Sequence, residues 1–305
     1  MRNYPTPHLE KLTATFSNEK LPERDKPKLE EAIERYKDWI SRLRTVTGSP
    51  DEIVKKMVEL LNQYKLYIEV ELIFDSEGDF LYRQKGQLKL DNSIIEEFLP
   101  YLIQPSIIPE IEGMELGAGP INAFSSLYFA SSLASPQVGG GMSIRTKDHD
   151  FAISRRLYLM SSHSRKFEDV IVKDTYIAYI TAECKTNLDK TMFQEACATA
   201  HDVKSAVPGA KYFLICEWLD MTPLSTTATD IDEVILLRKG KRLNSNVRKD
   251  FDTSQKRRER KREYINYLNQ YPLLAERFQR FVDHIRKLIR NEQLIEEDVL
   301  ERGFF

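Results

Sequence analysis

The middle of the chain carries the pattern that most restricts its fold. Residues 151–160 and 176–185 are strand patterns, residues 187–204 place apolar side chains on one side of a helix, and residues 212–218 form another apolar run. Short connections join these segments, and the order strand, strand, helix, strand is typical of a compact α/β core. We therefore predict an α/β fold of the mixed α+β kind, built around this run.

The flanking sequence is mostly helical. Apolar residues recur every three or four positions over 26–43, after Pro50, over 94–102 and over 273–289, which predicts helices there. Alternation over 68–74, a turn at 76–79 and the apolar residues 80–82 predict a hairpin, and residues 120–133 predict another helix. The predicted regions are 1–110, 111–238 and 239–305, and the middle one holds the α/β core.

The composition excludes several classes of protein. Hydrophobic residues make up 41% of the 305 positions, which is enough to bury a core and excludes wholesale disorder. No stretch approaches the ~18 consecutive apolar residues of a membrane span, and the polar N-terminus carries no secretory signal. Cys184, Cys197 and Cys216 form no Cys-x-x-Cys pair. We therefore expect neither disulfides nor a cysteine zinc site, and a reducing cytoplasm is the expected compartment.

One segment is strongly basic although the whole chain has a net charge of only −2. Residues 238–262 contain 12 Lys and Arg against 3 acids, a local charge of 12 − 3 = +9. Such a segment either forms a solvated helix face or holds a polyanion, and interspersed Asn and Gln side chains favour DNA. The candidate DNA contacts are Arg238, Lys239, Lys241, Arg242, Lys256, Arg257, Arg258, Arg260, Lys261 and Arg262.

The strand pattern over 176–185 ends in Glu183-Cys184-Lys185. Side chains alternate along a strand, so Glu183 and Lys185 point to the same face. Asp150 stands at the start of the preceding strand pattern and would meet Glu183 if the two strands are antiparallel. The alternative interpretation of Glu183 and Lys185 is a surface ion pair at a strand end, which contributes only ~0–1 kcal/mol.

These residue types suit phosphodiester hydrolysis with a metal ion. Two carboxylates and a backbone carbonyl, that of Cys184, are the hard oxygen ligands that Mg²⁺ prefers. Lys185 would orient the attacking water and offset charge in the transition state. The five histidines lack metal-ligand spacing and no phosphate-binding Gly-x-x-x-x-Gly-Lys-Ser/Thr loop is present, so zinc and ATP are not expected.

Asp150, Glu183-Cys184-Lys185 and the following helix and strand are similar to the PD-(D/E)XK nuclease core. Residues 182–190, with Phe193-Gln194-Glu195-Ala196, resemble the BbvCI-like type II restriction endonucleases, in which two related subunits form a heteromer and each cuts one strand. The resemblance implies catalytic roles for Asp150, Glu183 and Lys185. Asp148 has the same parity as Asp150 and stays an alternative first acid, and Glu115 and Gln194 are additional candidates.

The resemblance also implies the activity. We expect Mg²⁺-dependent cleavage of a specific short double-stranded DNA sequence in the cytoplasm of a prokaryotic cell, with Mn²⁺ as a substitute metal. The N-terminal region would serve DNA recognition or dimerisation, and the basic C-terminal region would contact DNA. The expected partner is a second nuclease subunit, either a related chain or another copy. The alternatives are a repair or junction-resolving nuclease of the same fold, and a non-catalytic DNA-binding subunit.

Overall fold

The structure is a computed structural model and describes residues 4–290, 300, 301 and 303. Residues 291–299, 302, 304 and 305 of the predicted C-terminal region lie outside the described residues. The α-helices found in the described part are α1 (Pro7–Phe16), α2 (Lys26–Thr45), α3 (Pro50–Tyr67), α4 (Phe80–Gln84), α5 (Ser93–Phe98), α6 (Lys190–Ala206), α7 (Ser245–Lys249), α8 (Ser254–Glu259), α9 (Lys261–Gln270) and α10 (Ala275–Arg290). The strands are β1 (Gly117–Phe129), β2 (Met142–Ser161), β3 (Ile171–Leu188), β4 (Lys211–Leu219) and β5 (Glu233–Leu236).

The five strands form one mixed sheet in the order β1-β2-β3-β4-β5. The first three strands are antiparallel neighbours, whereas β3, β4 and β5 run parallel. Helix α6 makes the crossover between β3 and β4, and Asp189 caps its N-terminus with a carboxylate that accepts a hydrogen bond from Met192 N at 2.9 Å. This arrangement confirms the mixed α/β fold and the antiparallel pairing on which the meeting of Asp150 and Glu183 depends.

The central strands are buried on both faces, which explains their continuous apolar runs. On one face, Tyr212 and Leu214 of β4 pack with α6 residues such as Phe193. On the other face, Phe213 contacts Phe281 of α10, with ring centroids 5.3 Å apart. The buried residues of α2, α3, α5 and α10 form one cluster with this second face. The helical patterns predicted over 26–43, after Pro50, over 94–102 and over 273–289 are confirmed.

The predicted hairpin over 68–82 is wrong. Ile68–Phe74 continues α3 as a π-helical segment, and α4 follows in place of a return strand. The alternation was misleading because only one of its two acidic positions, Glu71, faces water. Glu69 is only 7% exposed and lies 3.0 Å from Lys65 Nζ and 3.5 Å from the Arg238 guanidinium. Its neighbours Ile68 and Val70 are buried as well, so the alternating pattern does not correspond to one apolar face and one solvent face.

The helix predicted over 120–133 is also wrong, because β1 occupies most of this segment. β1 pairs along its length with β2, and Ala123 packs against Ala152 and Ala178 in a small cluster of alanines. The Ala-rich composition therefore serves close packing of strands in place of helix formation. No helix of the described residues has both the length and the apolarity to cross a membrane.

Candidate active site

The site lies where β2 and β3 separate. The last residues paired between these strands are Phe151 and Ala182, whereas β3 stays paired with β4 as far as Leu188. Beyond the last pair, Asp150 Oδ2 accepts a hydrogen bond from Cys184 N at 2.9 Å. The side chain thereby takes the place of a backbone partner, and a cleft of about 380 Å³ opens between the strands.

The cleft brings together the three residues that the sequence singled out. Asp150, Glu183 and Lys185 all line it, and their side chains are 21%, 22% and 26% exposed. Lys185 Nζ lies 2.6 Å from Glu183 Oε1, while the Tyr212 hydroxyl donates to Glu183 Oε2, also at 2.6 Å. Both carboxylate oxygens of Glu183 are therefore held in place by neighbours.

The pKa values of this pair follow from its contacts. Burial alone would raise the pKa of Glu183, but the hydrogen bonds from Lys185 and Tyr212 outweigh burial and leave the pKa lowered. Burial alone would lower the pKa of Lys185, but the hydrogen bond to Glu183 reverses this effect and the pKa is raised. An anionic carboxylate and a cationic ammonium group are thus both favoured in the folded protein.

Three further residues reach the site from the segment around the start of α5. Asn92 Nδ2 donates to the Cys184 carbonyl at 3.1 Å and to Glu96 Oε1 at 3.0 Å. Lys89 Nζ lies 3.4 Å from Glu96 Oε1 and 3.6 Å from Asp150 Oδ1. Burial, and then the charge of Asp150, raises the pKa of Glu96. Sequence reasoning missed these residues, although the polar run 91–93 before an apolar helix was a visible signal.

The donor set of the site suits a hard divalent cation. Asp150 and Glu183 offer carboxylate oxygens, and Cys184 offers a carbonyl oxygen. Among the described residues, no cluster of three or more His, Cys, Asp or Glu side chains is arranged to hold a metal ion. Mg²⁺ often takes only one or two protein carboxylates, together with waters and substrate phosphates. The residues present therefore fit Mg²⁺, and they fit Zn²⁺ poorly because the nearby Cys184 thiol is buried.

The other predicted site residues lie in different surroundings. Asp148 also lines the cleft, but it is exposed and stands opposite Asn122 of β1. Glu115 is exposed in the loop before β1, and Gln194 is exposed on α6. Neither of these two residues lines the cleft as described. Asp150 is therefore the acid that directly contacts β3, while Asp148 remains at the rim.

Two of the predicted DNA contacts are buried instead. Arg257 is 0% exposed and donates to the Phe74 and Gly78 carbonyls at 2.7 and 3.0 Å. Arg238 is 5% exposed and donates to Glu217 Oε2 at 3.2 Å. Their guanidinium groups have no free surface for a phosphate, so this part of the prediction is corrected. A charge run cannot reveal which of its members neutralise acids and carbonyls from distant segments.

The remaining basic side chains are more accessible, and some of them have acidic partners. Arg242 pairs with Asp220, Lys256 with Asp252, Arg260 with Asp250, and Lys261 with both Glu71 and Asp75. Among the predicted DNA contacts, the exposed cations without an ion pair to a described residue are Lys239, Lys241, Arg258 and Arg262. The effective positive charge of the segment is therefore smaller than its sequence suggests.

Comparison with known proteins gives a matching family and a similar solved structure. The family model of the Bpu10I restriction endonuclease matches residues 87–305, which is more than half of the chain. A search of curated proteins gives no match. Among solved structures, the native BbvCI A2B2 tetramer at low resolution aligns with 86% of this chain and 98% of that chain, at 18% identity and a TM-score of 0.42. The resemblance to restriction endonucleases is confirmed: the chain belongs to the Bpu10I restriction endonuclease family.

Proposed function

We propose that the chain is the subunit of a Mg²⁺-dependent type II restriction endonuclease with a PD-(D/E)XK-like site, and that it hydrolyses phosphodiester bonds at a specific short sequence of double-stranded DNA. The observation that carries the proposal is the convergence of Asp150, Glu183 and Lys185 at the point where β2 and β3 separate. Membership of a restriction endonuclease family makes DNA the natural substrate for such a site.

The two carboxylates and the Cys184 carbonyl would hold the metal. Mg²⁺, when bound, polarises the scissile phosphate and lowers the pKa of a coordinated water, and we expect Mn²⁺ to substitute for it. Asp150 is fixed by the Cys184 N–H, and Glu183 is fixed by Tyr212, so both ligands are positioned before substrate arrives. Asn92 fixes the carbonyl in the same way. Such positioning by supporting hydrogen bonds is what a catalytic constellation requires.

Lys185 supplies the positive charge. The hydrogen bond to Glu183 raises the pKa of Lys185, which favours the ammonium form of the side chain. It would donate a hydrogen bond to the attacking water and stabilise charge on the phosphoryl oxygens in the transition state. Attack of water at phosphorus breaks the bond to the 3′ oxygen, which leaves 5′-phosphate and 3′-hydroxyl ends.

The exposed cations of the C-terminal region would contact the DNA backbone. Lys239, Lys241, Arg258 and Arg262 make no ion pair with a described residue and are free to neutralise phosphates. Arg242, Lys256, Arg260 and Lys261 would have to exchange their acidic partners for phosphates, so we assign them a smaller share of the binding energy.

A second subunit is needed because one active site cuts one strand. The ends of β2 and β3 that lie away from the cleft carry exposed apolar side chains on one face, with Met160 directly opposite Val172 and Tyr158 two residues away. These three side chains are 53%, 59% and 64% exposed. Exposed apolar patches of this kind mark protein interfaces. We propose that a related subunit covers this patch, and a second copy is the alternative.

The proposal is tested by incubating the purified chain, alone and with the partner subunit, with plasmid DNA and Mg²⁺. We expect strand cleavage at one short sequence, which is abolished by Glu183→Gln and by Lys185→Ala. Lys55→Ala, at an exposed lysine of α3, is the matched control and should cut normally. Both active-site variants should still bind DNA in Ca²⁺. Full cleavage by both variants would overturn the site, and sequence-independent cutting of branched DNA would favour a repair nuclease.

The same assay separates a catalytic subunit from a non-catalytic one. In a heteromer, each subunit cuts its own strand, so a complex of the Lys185→Ala chain with a normal partner should nick one strand only. A complex that still cuts both strands would assign the chemistry to the partner and leave this chain a DNA-binding role.

A further inference from the structure

A second cavity, of about 360 Å³, lies beside the catalytic cleft. The two share Gly86, Asp91, Thr186 and Asn187 as lining residues, so they form one continuous groove. Thr186 and Asn187 directly follow Lys185 in the chain. Anything bound in the second cavity would therefore sit next to the phosphate that the active site acts upon. The mechanism described above does not use this cavity.

The wall of the cavity is aromatic and rigid. Trp218 is stacked on Tyr267 with ring centroids 4.9 Å apart, and both residues line the cavity. Tyr264, another lining residue, is stacked on Phe74 with centroids 4.3 Å apart. The Arg238 guanidinium lies over the Trp218 ring, 4.8 Å from its centroid, so Trp218 supports the wall while the half-buried rings of Tyr267 and Tyr264 offer the flat surface to another ring. In proteins that bind unpaired nucleotides, such surfaces hold the bases.

Asp91 gives the cavity a hydrogen-bond acceptor. The residue is only 6% exposed, yet neither oxygen of its carboxylate takes part in a hydrogen bond or ion pair with the described residues. Its backbone carbonyl, by contrast, accepts a hydrogen bond from the buried Lys65 Nζ at 2.9 Å, which holds the residue in place. The two carboxylate oxygens are not sealed from solvent, so they face the cavity and can accept hydrogen bonds from a ligand that displaces water.

Arg248 gives the cavity a cation at its rim. Its Nε donates to the Leu243 carbonyl at 3.0 Å, which orients the guanidinium group, and no ion pair joins it to a described residue. Arg242 also lines the cavity, but it is paired with Asp220 at 2.9 Å. Flat walls, a buried acceptor and a rim cation together match a nucleotide, with the base inside and the phosphate outside.

We propose that this cavity binds a guanine nucleotide of the DNA substrate that has left the base stack. The inference rests on the proposed function and names a contact of the same substrate. Guanine has two adjacent donors, N1–H and the N2 amino group, which fit the two oxygens of Asp91 as a parallel pair. Adenine and cytosine place an acceptor beside their amino group, and thymine flanks its single donor with two acceptors. Arg248 would contact the phosphate of the extruded nucleotide.

Trp218 lines the cavity, so its fluorescence can report binding there. The chain has 2 tryptophans, and Trp39→Phe leaves Trp218 as the only one. Trp39 does not line the cavity; it is stacked on Tyr64, and its Nε1 makes no hydrogen bond, so phenylalanine loses none. Emission of Trp218 in the Trp39→Phe protein is titrated with the 5′-monophosphates dGMP, dIMP and dTMP. Inosine differs from guanine only by the missing N2 amino group.

We expect dGMP to quench Trp218 and to bind about tenfold more tightly than dIMP, because one hydrogen bond to a carboxylate is lost. Asp91→Asn should remove the difference between dGMP and dIMP. Arg248→Gln should weaken all three nucleotides by the same factor, because it acts on their common phosphate. The comparison of dGMP with dIMP needs no variant of Asp91, so it stays decisive even if Asp91→Asn does not fold.

Equal affinity for dGMP, dIMP and dTMP would overturn the proposal and leave a phosphate site only. Absence of quenching, or quenching by Mn²⁺ alone that is lost in Asp91→Asn, would overturn it as well, the latter in favour of a cation site. The titration requires no cleavage, so it fails independently of the proposed function. Normal plasmid cutting with no preference for dGMP refutes the cavity proposal alone, and dGMP selectivity without any cutting refutes the activity alone.

Discussion

Arg257 and Arg258 are neighbours in the chain, and the structure predicts opposite consequences for their substitution. Arg257 is fully buried, and its guanidinium donates to the carbonyls of Phe74, Gly78 and Phe251 at 2.7, 3.0 and 3.2 Å. It thereby joins the end of the π-helical segment to the loop before α8. Arg258 is exposed and makes no ion pair with a described residue. We predict that Arg257→Met unfolds more easily, whereas Arg258→Gln binds DNA less well.

The magnitude for Arg257→Met follows from the three carbonyls that lie within 3.2 Å of its guanidinium nitrogens and lose a donor; the Ser76 carbonyl, at 3.5 Å, adds little. Each hydrogen bond contributes about 1–1.5 kcal/mol net, so the free energy of unfolding should fall by about 3–5 kcal/mol. The ion pair to Asp79 adds little, because that carboxylate is 32% exposed. For a chain of this size, a loss of this order lowers the melting temperature by roughly 10 °C.

The assay combines urea unfolding, followed by circular dichroism, with DNA binding in Ca²⁺ over a series of salt concentrations. Arg258→Gln should unfold within about 0.5 kcal/mol of the wild type and reduce the slope of log K against log salt by about 0.9. Arg257→Met, once folded, should keep the wild-type slope. The reasoning is refuted if Arg257→Met unfolds like the wild type and loses one unit of salt slope, because Arg257 would then contact phosphate.

Three other predictions concern the active site, the N-terminal helices and the interface. Tyr212→Phe removes the hydrogen bond to Glu183 Oε2 and should slow single-turnover cleavage about tenfold, with a loss of stability of about 1 kcal/mol; an unchanged rate at every Mg²⁺ concentration would contradict this. Burial raises the pKa of Glu97 from 4.5 to about 7, so its stabilising contribution is complete below pH 4.5 and is lost as the pH rises through 7. Glu97→Gln should therefore gain about 3 kcal/mol relative to the wild type between pH 4.5 and 7.5 in chemical denaturation, and a pH-independent difference would disprove the assignment. Met160→Asp should abolish association with the partner subunit in sedimentation velocity, whereas Lys173→Asp, on the other face of the same strands, should leave it intact.

Local sequence patterns were enough to predict secondary structure where a segment has one face in solvent and one face buried. The stripes of α2 and α10 are of this kind, and their predictions are confirmed. The pattern failed for Ile68–Phe74, because Glu69 is held inside the protein by Lys65 and Arg238. Arg238 and Glu69 are separated in the sequence by more than half of the length of the chain, so no local rule could have paired them.

The active site was predictable only as far as its residues are neighbours in the chain or on adjacent strands. The Glu183-Cys184-Lys185 run and its pairing with Asp150 follow from strand alternation and antiparallel order. Lys89, Asn92 and Glu96 reach the same cleft through the packing of α5 against the sheet, which depends on tertiary contacts. Glu115 was one possible additional acid, but it lies in an exposed loop outside the cleft, whereas Glu96 faces Lys89 and Asp150.

Helices α5 and α10 cover the strands of the sheet, and this limits how the chain can be cut to build a chimeric nuclease with another DNA-binding domain. A fragment that runs from the start of β1 to the end of β5 would carry Asp150, Glu183 and Lys185. It would lack Phe281, which contacts both Phe151 and Phe213, so these two side chains would be exposed to solvent. It would also leave behind Asn92, which holds the Cys184 carbonyl. A working chimera must therefore include the chain from before Lys89 to the end of α10, and the fusion partner has to be attached outside those limits.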